Sequence, residues 1–176
     1  MFARIISFCL ISIVVTGCSS VKDKNNSIAG KSGSMGGESS VVTEITANFS
    51  KAVEAKDAAK FKSLFLNDSV SWFAIISEQD ASRYKNDPRH KKVNLHEIGH
   101  FAEWLVKTKE PTEVKFSDCK TSGDTDVMVA DCGYAFYLGG KESNNGREVF
   151  ILINTESGWK ISGIAFSAKT PKKEDM

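Results

Sequence analysis

The feature that most constrains the fold is a run of β-type segments in the second half of the chain. Apolar, β-branched and aromatic residues dominate four segments: residues 114–119, 127–138, 148–154 and 159–166. Three short turns separate them: Gly123-Asp124, Gly139-Gly140 and Ser157-Gly158. Short turns of this composition join antiparallel neighbours, so this half of the chain predicts an antiparallel meander.

Helical periodicity precedes these strands. Val42, Ile45, Phe49 and Val53 recur at helical spacing in a helix that we expect to begin near residue 41. Further along, the pattern predicts a short helix capped by Asp57, a strand at 70–76, a polar loop at 78–92 and a helix at 95–107. Helices first and a meander last predict an α+β fold.

Two positions predict that the sheet is curved. Gly133 interrupts a long strand, and the apolar phase of the last strand shifts across Ser162-Gly163. Such a shift requires a bulge or a kink. N-terminal helices packed on a curved antiparallel sheet give a cone-shaped fold.

The order of these elements resembles the nuclear transport factor 2-like superfamily. The resemblance lies in Gly123-Asp124, in the strand Tyr134-Ala135-Phe136-Tyr137 and in Gly158-Trp159-Lys160-Ile161. It extends over about residues 41–167, and the SnoaL-like and lumazine-binding-like branches are the most similar. Members include isomerases, dehydratases, polyketide cyclases and non-catalytic binding modules. The resemblance therefore implies a cone with a pocket, but no particular activity.

The N-terminus has the pattern of an export leader. Arg4 precedes an apolar run that is too short to span a bilayer. Val15-Thr16-Gly17-Cys18 resembles the lipobox of bacterial lipoproteins, which implies cleavage before Cys18 and attachment of lipid to its thiol. On this resemblance we expect a protein anchored in the cell envelope by acyl chains such as palmitate. Ser19 after the lipid site implies the outer membrane, facing the periplasm, in an organism with two membranes.

The domain organisation follows from these patterns. We expect a signal peptide at 1–17, a lipidated cysteine and flexible linker at 18–40, the folded domain at 41–168 and a charged tail at 169–176. The full sequence has 23 Lys and Arg and 22 Asp and Glu. Since Arg4 is the only charged residue of the leader, removing the leader leaves equal numbers of basic and acidic residues. This balance argues against a nucleic-acid partner.

One catalytic motif is present, His96-Glu97-Ile98-Gly99-His100, which has the HExxH form of zinc peptidases. On a helix over 95–107, an apolar stripe would comprise Leu95, Ile98, Ala102, Leu105 and Val106. His96 and His100 would then lie opposite it with Glu103 and Lys107, on the solvated face. Glu110 or Glu113 are the remaining carboxylates that could complete a zinc site. We therefore predict no metal cofactor and rank a peptidase below other functions.

Asp131 and Tyr137 are the candidate acid-base pair. They share one face of the strand at 127–138, whereas Tyr134 is on the other. An isomerase or lyase would need the aspartate desolvated and within reach of its substrate. The alternative is that Asp131 faces water on the outer side of the sheet.

Cys119 and Cys132 are the pair left for a disulfide, because Cys9 is in the leader and Cys18 is the lipid site. A tight turn at Gly123-Asp124 would leave Cys132 about 13 Å along the strand from the position opposite Cys119. That exceeds the limit of about 7 Å, so a bond needs a bulge or a slipped register, and free buried thiols are the alternative.

An apolar pocket is the expected site of function. Its predicted lining is Phe61, Phe65, Trp72, Tyr134 and Phe136. We predict a non-catalytic module of the cell envelope that binds a small apolar ligand or an envelope protein, without a cofactor. The alternative is an isomerase or lyase that uses the same pocket. The sequence leaves the oligomeric state open, a homodimer included.

Overall fold

The computed structural model describes residues 35–83, Asn86 and residues 91–171. The predicted signal peptide, Cys18 and most of the predicted linker therefore lie outside the described residues, as do residues 172–176. None of the helices in the described residues is long and apolar enough to cross a membrane.

The described chain has helices before, between and after its first two strands, and then four long strands. The helices are α1 (Met35–Glu54), α2 (Ala58–Ser63), α3 (Glu78–Arg83) and α4 (Ile98–Lys107). The strands are β1 (Ser71–Ile76), β2 (Val93–His96), β3 (Thr112–Gly123), β4 (Val127–Leu138), β5 (Lys141–Thr155) and β6 (Gly158–Ala168). The predicted α+β class is confirmed.

These strands form one sheet in the order β2-β1-β6-β5-β4-β3. Neighbouring strands are antiparallel except for β1 and β6, which are parallel. The β4–β5 turn consists of Gly139 and Gly140, whose φ angles of 61° and 75° are unfavourable for other residues. The predicted meander is therefore β3 to β6, and β1 and β2 extend it.

The helices bury their apolar residues against one face of this sheet. The predicted residues Val42, Ile45, Phe49 and Val53 of α1 are all buried. The α2 helix begins where predicted, since the Asp57 carboxylate accepts a hydrogen bond from the Lys60 amide at 2.9 Å. These contacts make one core between the helices and the concave face of the sheet.

The predicted curvature is confirmed at both positions. The β3–β4 register shifts next to Gly133: Ser117 faces Gly133 and Lys120 faces Asp131, so two residues of β3 oppose Cys132. In the last pair of strands, Ile151 faces Gly163 and Leu152 faces Ile161, which leaves Ser162 as the extra residue. Each bulge bends its strand and increases the local twist.

The register set by the β3–β4 turn brings the two candidate cysteines together. Gly123 faces Met128 and Lys120 faces Asp131, so the next position along β3 places Cys119 opposite Cys132, and their Cα atoms are 4.0 Å apart. The two sulfurs are bonded. The slipped register that the sequence left open is thus the observed one.

Two predictions for the helices are wrong, and one residue of the predicted tail contacts the domain. The first helix begins at Met35, upstream of the predicted start at 41. Helix α3 occupies part of the predicted polar loop, because the Ser77 hydroxyl caps it by accepting from the Asp80 amide. The predicted tail is partly held by the domain, since the Thr170 amide donates to the Asp80 carboxylate at 2.8 Å.

Candidate functional site

A cavity of about 140 Å³ lies between the concave face of the sheet and helices α1 and α4. Most of its lining is aromatic or aliphatic, with a few polar side chains among the rings. The lining residues are Phe49, Val53, Trp72, His96, Phe101, Val114, Tyr134, Phe136, Asn144, Glu148 and Phe166. An apolar cavity with a few convergent polar groups is the usual form of a small-molecule site.

Glu148 is the acidic residue of this cavity. It lies on β5 between Cys132 of β4 and Phe166 of β6, and it is only 4% exposed. Burial raises the pKa of its carboxyl group from 4.5 to about 8. Among the described residues, none forms a hydrogen bond or an ion pair with this carboxyl group within the structure.

Arg147 does not compensate Glu148, although it precedes it in the chain. Successive side chains of a strand point to opposite faces, so Arg147 lies on the outer face of the sheet. There its guanidinium group pairs with Asp131 at 2.7 Å. The positive charge nearest in sequence to Glu148 is therefore engaged on the other side.

Tyr134 supplies a second polar group. Its hydroxyl donates to Asn144 Oδ1 at 2.8 Å and lies 3.2 Å from the carbonyl oxygen of Ser167. Gly146 makes room for the Ser167 carbonyl group, because a Cβ atom at Gly146 would collide with that carbonyl oxygen. Burial and the charge of Glu148 raise the pKa of Tyr134. The phenol is therefore neutral at physiological pH, and its proton is directed to a protein acceptor.

His96 supplies the third polar group of the cavity. It lies on β2 opposite Trp72, and its ring centroid is 5.5 Å from that of Trp72 and 5.6 Å from that of Phe166. Burial lowers the pKa of His96 below its ordinary value of 6.5. The imidazole is therefore mainly neutral at pH 7.

Aromatic rings form most of the remaining wall. The Trp72 ring packs 5.0 Å from Phe101 and 6.3 Å from Phe166, and Tyr134 packs edge-on to Phe166 at 5.7 Å. The indole nitrogen of Trp72 is buried and has no hydrogen-bond partner in the described part of the chain. The Trp72 N–H is therefore a buried donor that the described residues leave unpaired.

A surface groove adjoins the cavity on the α4 side. It is lined by Leu95, His96, Glu97, His100, Phe101 and Trp104. Since His96 and Phe101 line both the groove and the cavity, the two meet at these residues.

The predicted helix at 95–107 is wrong in its first turn. Residues 93–96 form β2, with Val93 and Leu95 exposed, and α4 begins only at Ile98. The predicted apolar stripe therefore loses Leu95 and also Val106, which are 64% and 61% exposed. The pairing with β1 determines this outcome, because it is a tertiary contact that local periodicity does not contain.

The HExxH motif consequently lacks the geometry of a zinc-binding helix. His96 is half-buried in the cavity wall, whereas His100 is on the exposed side of α4, where its Nδ1 lies 3.3 Å from the Glu97 carboxylate. The prediction that His96 lies on the solvated face is thus wrong. No group of three or more His, Cys, Asp or Glu suited to a metal ion occurs in residues 35–83, 86 and 91–171.

The predicted pocket lining is partly observed. Trp72, Tyr134 and Phe136 line the cavity, whereas Phe61 and Phe65 do not. Those two rings lie 5.1 Å apart in the core, where they are 0% and 4% exposed. They belong to the layer of packing that supports the cavity.

The predicted acid-base pair lies outside the cavity. Asp131 is held by Arg147 on the outer face. The Tyr137 hydroxyl lies 3.4 Å from the Glu142 carboxylate, and Lys115 Nζ is 4.7 Å from its ring centroid. The sequence reasoning placed the acid on the wrong strand, since Glu148 of β5 occupies the inner position.

Solved structures with the same fold complete the description. One is the beta subunit of a candidate aromatic-ring-hydroxylating dioxygenase from Novosphingobium aromaticivorans, with 13% identity, a TM-score of 0.57, and coverage of 76% of this chain and 90% of that one. Another is a candidate dehydratase of the NTF2-like family from Streptomyces avermitilis, with 16% identity, a TM-score of 0.55, and coverage of 75% and 96%. A third is an NTF2-like protein from Cytophaga hutchinsonii, with 13% identity, a TM-score of 0.55, and coverage of 75% and 98%.

The sequence itself matches no family model and no curated protein. At 16% identity or less, these structural neighbours indicate a shared fold and nothing of shared activity. The chain has the NTF2-like cone fold.

Proposed function

We propose that this protein binds a small, largely apolar molecule in the cone cavity. The observation that carries the proposal is Glu148, a buried acid that faces the cavity with no partner in the described structure. Buried polar groups in native proteins are almost always paired, and leaving one unpaired costs stability. A ligand that supplies the missing partner accounts for its retention.

The cavity sets the size of this ligand. A dry cavity of about 150 Å³ accommodates benzene, and the volume here is about 140 Å³. The aromatic walls favour a flat ring by stacking and edge contacts. The proposal is therefore a molecule of about one ring with a polar group directed toward Glu148.

We place this binding protein in the cell envelope, held to the membrane by lipid on Cys18. The support is in the sequence, namely the export leader and the lipobox-like residues before Cys18. The Cys119–Cys132 bond agrees with an oxidising compartment.

A blocked cavity tests the binding proposal. Val114 lines the cavity and is 4% exposed, so Val114→Phe should fill it, whereas Val129→Phe makes the same change on the outer face, where Val129 is 39% exposed. A neutral probe of one ring, benzyl alcohol, should bind to the parent and to Val129→Phe and not to Val114→Phe. Should Val114→Phe fail to fold, Phe136→Trp provides a second blocked cavity. Absence of binding to the parent, or equal binding to the blocked variants, would refute the proposal.

An isomerase or lyase is the second candidate, and a specific observation favours it. Glu148, with a pKa of about 8, is mainly protonated at pH 7 and can donate a proton, while the neutral imidazole of His96 lines the same cavity and can accept one. These are the two partners of acid-base catalysis. One structural neighbour is a candidate dehydratase of the same fold.

Hydrogen exchange separates the enzyme from the binding module. Cyclohexenone in D₂O exchanges the protons next to its carbonyl group when a bound acid and base act on it. We expect faster exchange with the parent than with Glu148→Gln, and parent-like exchange with Glu156→Gln, which changes an exposed turn. Exchange no faster than in buffer would exclude the catalytic candidate for this probe and leave the binding proposal standing.

A further inference from the structure

The cavity combines one unpaired carboxyl group with a wall of aromatic rings. From this combination we infer that the ligand is a cation: an amine on a single ring, whose nitrogen lies against Glu148 and whose charge faces the surrounding rings. The inference rests on the proposed binding function and adds the chemical class of the ligand.

The charges around Glu148 favour a cation. Among the described residues that line the cavity, His96 is the basic one, and burial keeps it neutral at pH 7. Arg147 is engaged with Asp131 on the outer face. A ligand cation would thus meet no positive charge inside the cavity, and it would find a carboxylate without a counterion.

The hydrogen-bonding groups favour a ligand that donates. The Tyr134 proton is directed to Asn144 Oδ1 or to the Ser167 carbonyl group, so the phenolic oxygen remains as an acceptor. The Trp72 N–H, which is buried and has no partner among the described residues, is one donor against two acceptors, the Glu148 carboxylate and the phenolic oxygen. An ammonium group has three donors and no acceptor, which matches a carboxylate and a phenolic oxygen.

The rings favour a positive charge more than a neutral group. The faces of Trp72, Phe101, Phe136 and Phe166 carry the negative side of the aromatic quadrupole. A cation within about 6 Å of such faces is attracted, and more strongly where water is excluded. Aromatic cages are a known means of recognising quaternary ammonium groups and methylated lysine.

Binding of an amine must change the protonation of Glu148. Since the carboxyl group is mainly protonated below pH 8, an ammonium ligand that pairs with it expels that proton to solvent. The titratable groups facing Glu148 are His96 of β2 and Tyr134 of β4, whereas β6 contributes Phe166, α1 contributes Phe49 and Val53, and α4 contributes Phe101. His96 titrates below pH 6.5 and Tyr134 well above pH 10, so proton release between pH 6.5 and pH 8 belongs to Glu148.

Two probes of equal size isolate the charge. Benzylamine is a cation at neutral pH, and benzyl alcohol is its neutral counterpart. Calorimetric titrations use the full chain in nanodiscs of neutral lipid, with empty nanodiscs as the blank. Buffers of different ionisation enthalpy report the protons released on binding.

We expect benzylamine to bind the parent at least about tenfold more tightly than benzyl alcohol, with an affinity that rises from pH 6.5 to pH 8. Glu148→Gln should weaken benzylamine about 30-fold and benzyl alcohol far less, because the glutamine amide still pairs with a neutral hydroxyl group but carries no charge to pair with an ammonium group. The matched variant Glu156→Gln should behave as the parent. If Glu148→Gln does not fold, the parent alone tests the proposal: benzylamine binding should release a proton between pH 6.5 and pH 8, and binding without proton release would contradict pairing with Glu148.

The outcomes separate the two proposals. Binding of benzyl alcohol as tightly as benzylamine, without proton release, overturns the cation and preserves the binding function. Binding of neither probe overturns both. Benzylamine binding that Glu148→Gln does not weaken overturns the cation site as assigned.

Discussion

Replacing Glu148 with glutamine should remove a large pH dependence from the stability of this protein. The carboxyl group has a pKa of about 8 in the folded protein and about 4.5 when exposed. Between these values the folded state holds a proton that the unfolded state has lost. The free energy of unfolding therefore falls as the pH rises through this range and is constant above it.

The magnitude follows from the two pKa values. At about 1.4 kcal/mol for each pH unit between them, the parent loses about 5 kcal/mol of stability from pH 4.5 to pH 8. That is a large share of the 5 to 15 kcal/mol of a typical domain, roughly speaking. Glutamine has the same shape and no titration, so Glu148→Gln should match the parent at low pH and exceed it by up to about 5 kcal/mol above pH 8.

Urea unfolding followed by far-ultraviolet circular dichroism measures this difference at a series of pH values. The range from pH 6.5 to pH 8 is the informative one, because the depressed pKa of His96 removes stability only as the pH falls below 6.5. Glu156→Gln is the control, since Glu156 is exposed. Parallel profiles for the parent and Glu148→Gln in that range would refute the assignment of a buried, unpaired acid.

Three further predictions concern other parts of the molecule. Replacing both Cys119 and Cys132 with alanine should lower the free energy of unfolding by about 3 kcal/mol. When unreduced protein is alkylated, mass spectrometry should find neither of these two cysteines modified. Trp72→Ala should cost about 3 to 5 kcal/mol in urea unfolding because the ring is buried, whereas Trp104→Ala, at a site that is 37% exposed, should cost clearly less. Cys18→Ser should release the protein from the membrane fraction, and retention equal to that of the parent would contradict the lipid anchor.

The strands of the meander were predictable because each carries its own local signal. The 127–138 segment alternates and ends at Gly139-Gly140, and β4 has those bounds. The bulges were predictable for the same reason, since a glycine or a phase shift is visible within a single strand. These features depend on neighbours in sequence.

Residues 93–96 were predicted wrongly because their conformation depends on a distant partner. Val93, Asn94, Leu95 and His96 alternate as a strand does, yet the same residues also fit the start of the apolar pattern of α4. Pairing with β1 decides between the two, and it is not encoded locally. Helix α4 consequently begins at Ile98, with Glu97 as its N-cap residue, and His96 lines the cavity.

Glu148 was missed because β5 is apolar on both faces. Phe150 and Leu152 are inward, while Val149 and Ile151 are outward and equally apolar. Alternation therefore does not identify the inner face of this strand. Glu148 lies two and four residues before Phe150 and Leu152, so it is on the same face as they are. Asp131 attracted the prediction instead because its strand alternates clearly, and the structure places it outside with Arg147.

The bond between Cys119 and Cys132 also selects one alignment of β3 and β4 during folding. It forms only when β3 and β4 pair in the register that places Gly123 opposite Met128, because a shift by a single residue would send the two thiols to opposite faces of the sheet. Chains that paired in the wrong register would keep two free thiols and could pair again, whereas oxidation fixes the correctly aligned chains with a disulfide. Since Cys132 lies directly across from Glu148, the same chemical step secures the row of residues that carries the cavity acid.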